Sequence, residues 1–261
     1  QSRGKGVLND GADPDGVYVW LNRQKLSTRT DKEGNFVLTL PIQQGQQTGS
    51  DLLVQDTLYF YLANYLLGRA AVTILEGEFI YARGDLDENG QVFGPIVLRR
   101  FMNINTSVTP AVASASSPND TVSVVLGIEA DITCARAINP FILVTDNQRN
   151  AGNAFIDTLG VVLIKNLDSG ALFIVRSDPS ATGNEILVPC RNDPIFRRLK
   201  FVPSAVQLPP GRYEIIPYLL INPEGVPRGL LDLASLPFDS LSAAYLNKPM
   251  RRQNGFFQVT N

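Results

Sequence analysis

Residues 16–41 read GVYVWLNRQKLSTRTDKEGNFVLTLP, and their alternation decides the fold class. Val17, Val19 and Leu21 fall on one side of an extended chain, because successive strand side chains point to opposite faces. Phe36, Leu38 and Leu40 repeat the pattern after a polar stretch. Between them Asp31 and Gly34 supply a turn, in which a carboxylate satisfies backbone N–H groups and glycine accepts positive φ. Both strands then send their apolar sides into one core.

The same grammar continues outward. Val72–Leu75, Ile96–Leu98, Val122–Leu126, Phe141–Val144, Val161–Ile164, Ala171–Val175, Glu185–Val188 and Tyr213–Ile216 are short runs rich in β-branched and aromatic residues, bounded by Gly, Pro, Asn or Asp. Asn89-Gly90 and Asn254-Gly255 read as hairpin turns. Leu230–Leu246 comes nearest to a helical period, but Pro237 interrupts it and leaves room only for short helical turns. The expectation is an all-β chain of two β-sandwich domains. The first spans 1–102 and the second, immunoglobulin-like in its strand spacing, spans 120–261. Residues 103–119, poor in charge and rich in Ser, Thr, Ala, Asn and Pro, read as a linker or an extended connecting strand.

The first hundred residues carry a family pattern. Gly6-Val7-Leu8, Gly16-Val17-Tyr18-Val19-Trp20-Leu21, Thr28-Arg29-Thr30-Asp31, Gly34-Asn35-Phe36 and Leu38-Thr39-Leu40-Pro41 resemble the carboxypeptidase regulatory-like, or transthyretin-like, domain over roughly residues 4–100. Ile96-Val97-Leu98 resembles its closing strand, while Gln43–Gln55 is a longer insertion than the family carries. The resemblance implies a seven-stranded sandwich that adds stability, spacing or adhesion to larger extracellular proteins. It implies no catalytic residue. No family is recognised in 120–261, and the only tryptophan, Trp20, lies in the first domain, away from the core position an immunoglobulin fold would give it.

Composition narrows the function. The chain has 261 residues, 28.5 kDa, enough for two cores, with 44% hydrophobic and 18% charged residues. Net charge is −2 and neither half has a basic surplus, which argues against nucleic acid as a partner. There is no histidine, so Ser-His-Asp and Cys-His catalysis and His-ligated metal sites are excluded. No P-loop, dinucleotide-binding or G-x-S-x-G pattern is present. The apolar run Thr57–Gly68 is too short to span a bilayer and contains Asn64. A start at Gln1-Ser2-Arg3 without methionine is expected of a trimmed mature product or an expression boundary.

Several residues are candidates for chemistry. Asp85, Asp87 and Asn89, followed by Gly90, present oxygen ligands in the D-x-D-x-N-G spacing of a calcium loop, although Ile96 stands where such a loop places its bidentate Glu. A plain hairpin turn is the other reading, and no cofactor beyond calcium is indicated. Asp10, Asp13 and Asp15 form a second acidic cluster, read as a solvated turn. Glu76 and Glu78 would share a strand face at i, i+2, a solvated pair with nothing to separate their pKa values. Cys134 and Cys190 would pair in an oxidising compartment or stand as two buried thiols. Asn105 and Asn119 fit the glycosylation acceptor pattern. Arg99-Arg100, Arg197-Arg198 and Arg251-Arg252 suit bidentate contacts across interfaces, with plain surface charge the other reading and the commoner one for any single pair. Phe256, Phe257 and Val259 mark a C-terminal strand, matched by Gly4–Leu8 at the start. Each either completes its own sheet or is donated to a neighbour. The expectation is a secreted, non-enzymatic structural or adhesive protein that polymerises with itself. The alternative is a monomeric extracellular module binding carbohydrate or a protein partner.

Overall fold

The computed structural model describes residues 1–41, 53–130, 141–144, 161–176, 184–187, 195–222, 225–234, 246, 250–251 and 253–261. Their secondary structure is all-β apart from two short helices. By contacts the chain forms two compact units. One is Gln1–Arg100 with Pro223–Pro237 and Leu246–Arg251, and the other is Phe101–Asn222 with Phe238–Tyr245 and Arg252–Asn261. This differs from the expected division in two ways: within 103–119, residues 103–109 and 112–114 are strands of the second unit, and the first unit recruits chain from beyond residue 222.

In the first unit, β1 (Ser2–Leu8), β4 (Asn35–Leu38) and β8 (Ile96–Leu98) form one sheet in the order β4-β1-β8. The strands β2 (Tyr18–Leu21), β3 (Leu26–Arg29), β5 (Val54–Tyr61), β6 (Gly68–Leu75) and β7 (Glu78–Phe79) form the other, ordered β3-β2-β5-β6-β7. Leu8, Phe36, Leu38 and Leu98 from the first sheet meet Val17, Val19, Leu21, Leu58, Phe60, Val72 and Ile74 from the second. Phe36 and Phe60 cross edge to face at 5.3 Å. This is a sandwich, and its core is the one the alternation of residues 16–41 anticipates. The turn forms at Asp31–Gly34: the Gly34 N–H donates to the Asp31 carbonyl, and Asp31 Oδ1 accepts from the Asn35 N–H at 2.8 Å. Thr57–Gly68, the longest apolar run, is a central strand and its exit. No helix among the described residues is long and apolar enough to cross a membrane.

In the second unit β9 (Met102–Thr109), β11 (Val122–Ala130) and β16 (Ile195–Phe201) are ordered β16-β11-β9. A five-stranded sheet runs β10 (Val112–Ser114), β19 (Gly255–Thr260), β17 (Gly211–Pro217), β13 (Val161–Asn166), β14 (Leu172–Arg176). A third, β15-β12-β18, joins Asn184–Leu187, Phe141–Val144 and Leu219–Asn222. Val122, Val124, Leu126 and Ile128 point inward along β11, and Phe201 of β16 lies edge to face on Phe257 of β19 at 5.9 Å, which joins two of these sheets through one core. The helices among the described residues are α1 (Pro203–Val206) and α2 (Arg228–Leu233), the latter overlapping the start of the Leu230–Leu246 stretch where short helical turns are expected. After α1, the Tyr213 hydroxyl donates back to the Pro209 carbonyl, pinning the Leu208-Pro-Pro-Gly corner that feeds β17.

Candidate functional site

The Asp85–Gly90 loop is built around its own carboxylates. Asp87 Oδ1 accepts from the N–H groups of Asn89 and Gln91, both at 2.8 Å, and Asp85 Oδ2 accepts from the Ala71 N–H at 2.6 Å. The Gly90 N–H closes the turn on the Asp87 carbonyl. The carboxylates thus act as backbone acceptors that fold the loop against β6, while Asn89 enters through its N–H. Among the described residues no group of three or more acidic or cysteine side chains is gathered as a metal site.

Glu76 and Glu78 do not share a strand face. Glu76 (φ 50°) and Gly77 (φ 80°) are the two central residues of the β6–β7 hairpin, and Glu78 lies beyond it, opposite Leu75. Positive φ at both positions matches the right-handed twist of the flanking strands. Both carboxylates border an open cleft of about 450 Å³, together with Leu40, Pro41, Phe79, Tyr81 and Gln1. The Tyr81 hydroxyl donates to the Gln1 carbonyl at 2.8 Å.

The Asp10–Asp15 cluster is more than a solvated turn. Asp10 Oδ2 accepts from the Tyr65 hydroxyl at 2.8 Å and from Arg100 Nη1 at 2.9 Å, with the Arg100 side chain largely withdrawn from solvent. Burial, then the Asp10 hydrogen bond, raises the Tyr65 phenol well above its ordinary value. Arg251 donates from Nε to the Asp13 carbonyl at 3.0 Å and from Nη2 to the Asp15 carbonyl. Two of the arginines in the sequence pairs therefore hold the first unit's own loops. In the second unit the Arg212 backbone N–H donates to Asp168 Oδ2 at 2.9 Å, and Nε and Nη2 both donate to Oδ1, at 3.0 and 2.7 Å. That lowers the Asp168 carboxyl below its ordinary value.

Of the two readings of the terminal strands, the register has each completing its own sheet. β19 pairs with β17 on one edge and β10 on the other. Phe257 and Val259 are buried while Phe256 is 60% exposed. A strand hydrogen-bonded on both edges has no ladder left to offer, so Phe256, Phe257 and Val259 complete their own sheet. β1 likewise lies between β4 and β8. Asn254-Gly255 is no hairpin: Gly255 opens β19 at a place where a Cβ would lie 2.4 Å from Val108 Cγ2. Asn105 is exposed on β9 beside Gln253, and Asn119 is exposed in the turn before β11, where its N–H meets Ser117 Oγ. Cys134 and Cys190 lie outside the described residues.

Sequence reasoning missed the second face of the five-stranded sheet in the first unit. Tyr18, Trp20, Tyr59 and Tyr61 point away from the Val17–Leu21 core, with Tyr18 opposite Tyr61 and Trp20 opposite Tyr59. The Arg29 guanidinium lies 4.3 Å from the Tyr18 ring centre and donates to its hydroxyl, and Arg69 lies 5.6 Å from the Tyr59 ring. Cations over aromatic faces gain from the ring quadrupole. The signal was in the sequence: residues 17–21 are apolar or aromatic without a polar alternate, as in strands buried on both faces.

No protein-family model matches the chain, and no curated protein matches it. Among solved structures it is similar to the shaft pilin SpaA from Lactobacillus rhamnosus GG, at 11% identity over 100% of this chain and 97% of that one, with a TM-score of 0.29. A double-mutant form of that pilin gives 10% identity over 100% and 97%, with a TM-score of 0.28. At such scores the likeness says nothing of how this chain works.

Proposed function

We propose that this chain is an extracellular, non-enzymatic structural or adhesive subunit that associates with copies of itself into a surface filament, tube or layer. One observation carries the reading. The sheet β4-β1-β8 has an outward face on which Arg3 stands opposite Val37 and Val7 opposite Val97, with Lys5 between them. Val37 is 53%, Val97 52% and nearby Phe93 63% exposed. A sheet face that mixes exposed apolar and cationic side chains suits contact with a neighbour, since monomers seldom leave apolar surface in water without a use. Residues 4–100 act in this reading as a transthyretin-like spacer, supported by the Asp31–Gly34 turn and the Phe36/Leu38 core. An immunoglobulin-like second unit is supported by the Tyr213–Pro209 corner, a device of Greek-key sandwiches.

Negative-stain imaging and light scattering of the purified chain test the proposal. Polymers that grow with concentration are expected, and Val37→Lys with Val97→Lys should suppress them while leaving the circular dichroism unchanged. A strictly monomeric sample at every concentration overturns it. The cleft of Leu40, Phe79 and Tyr81 with Glu76 and Glu78 favours a second reading, a carbohydrate-binding module. Calorimetric titration with neutral oligosaccharides, lost in Tyr81→Ala, would establish that alternative.

A further inference from the structure

The aromatic face of the first unit is covered by chain that reaches it from elsewhere in the sequence. Tyr18, Trp20 and Tyr61 retain 5%, 4% and 0% of their exposure. Part of their cover is the stretch 225–234. A Cβ on Gly229 would lie 2.9 Å from Trp20 Cζ2, so this glycine lets the backbone press directly on the indole, while a Cβ on Gly225 would lie beside the tip of Arg69, 3.0 Å from Nη2. Leu230 and Ala234 are buried beside them. Met250 then bridges to Ala63, and Arg251 clasps the Asp13 and Asp15 carbonyls.

Connectivity gives this cover its meaning. The chain leaves the first unit at Arg100 and returns only after Phe101–Asn222, all of which belong to the second unit. Face and cover are therefore tied to one another solely through the second unit. The link favours the cover of the same copy only through the effective concentration that a whole folded unit between them allows. Exchanging an identical element between copies reuses every contact already made and needs only a local change where the chain crosses over, here at Arg100–Phe101. The cover is also slight: α2 has six residues and no side-chain cap. Elements with few buried anchors open at low free-energy cost.

We infer that the Tyr18/Trp20/Tyr59/Tyr61 face is an exchange site that accepts residues 225–234 of a second copy, with Gly229 seated on Trp20 and Leu230 buried beside it. The inference rests on the self-association proposed above and adds a second contact between copies to the Val37/Val97 face. Each copy gives one cover and receives one, so the exchange closes as a pair or propagates as an open chain.

Full-length chain carrying the photo-crosslinker p-benzoylphenylalanine at the half-buried position 231 tests it. Natural-abundance and nitrogen-15 forms are mixed in denaturant, refolded together, irradiated and separated by size. Exchange predicts cross-links in the larger species that join position 231 of a light chain to residues 1–100 of a heavy chain, in the proportion of random mixing. Larger species whose cross-links from position 231 to residues 1–100 all stay within one isotope overturn the exchange and leave self-association standing. A sample with no species above the monomer overturns both. Gly229→Val adds a second measurement: if it folds and still yields mixed-isotope cross-links at the wild-type level, the seating on Trp20 is refuted.

Discussion

A Cβ placed on Gly34 would lie 2.1 Å from the carbonyl oxygen of Gly6. The Asp31–Gly34 turn is therefore packed against β1, and the same carbonyl-bearing residue donates its N–H to the Gly34 oxygen at 2.9 Å. Gly34 has φ 83°, and Gly16, with φ 78°, has nothing within 4 Å of its would-be Cβ. The two glycines share a conformation and differ in surroundings. Gly16→Ala should cost about 1 kcal/mol, the penalty of left-handed backbone alone. Gly34→Ala should cost about 3 kcal/mol or more, because backbone must also move, and should lower the first thermal transition by roughly 10 °C. Equal effects in calorimetry would contradict this packing.

The Asp87 carboxylate folds its own loop, so its removal should be felt without any metal. Asp87→Ala leaves the Asn89 and Gln91 N–H groups without their acceptor and should destabilise by about 1–2 kcal/mol. The wild-type melting temperature should be the same in calcium and in chelator. A rise with calcium that disappears in Asp87→Ala would instead make the loop a calcium site.

Two buried tyrosines should respond in opposite directions to the same substitution. Among the described residues the buried Tyr61 hydroxyl has no hydrogen-bond partner, whereas that of Tyr65 donates to Asp10. Burial raises both phenols above 10.0, with Tyr18 adding to the effect at Tyr61. A pKa raised in the fold means stability that is complete below pH 10.0 and declines as pH climbs past it. Tyr61→Phe should gain about 1 kcal/mol at neutral pH by removing an unpaired buried hydroxyl, and Tyr65→Phe should lose about 1–2 kcal/mol. Each should flatten the decline above pH 10.0. Urea midpoints measured from neutral to strongly alkaline pH check both signs.

What the sequence reveals here follows from how local each cause is. Val17, Val19, Leu21, Phe36 and Leu38 alternate over a few residues, and the core they were expected to build is the one observed. The Asp31–Gly34 turn is equally local. Three features depended on partners far along the chain and were not settled locally. β9 reads in sequence as either a linker or an extended connecting strand, because Asn103–Thr109 is uncharged and largely polar, and only its pairing along its length with β11 decides for the strand. Gly255 looked like half of a hairpin because the need for it comes from Val108. The cover over Trp20 has no signature in residues 225–234 themselves, since it is the far side of β2 that makes Gly229 necessary. Glu76 misled for a local reason: Glu-Gly at the centre of a hairpin is a less usual pairing than Asn-Gly.

Adjacent phenylalanines in the last strand give the sharpest test of where that strand belongs. Phe257 stacks on Tyr213 at 5.4 Å and meets Phe201 at 5.9 Å, whereas Phe256 turns outward opposite Glu214. Phe257→Ala empties a packed position and should cost about 3–5 kcal/mol, unfolding the second unit at a lower temperature. Phe256→Ser touches a solvent-facing site and should stay within about 0.5 kcal/mol. Deleting residues 256–261 should likewise destabilise the monomer, because β17 loses one of its two neighbours and β10 loses the strand that holds it in the sheet. If the truncated chain instead melts as the wild type does and fails only to assemble, the strand serves a neighbour and its place between β17 and β10 is wrong.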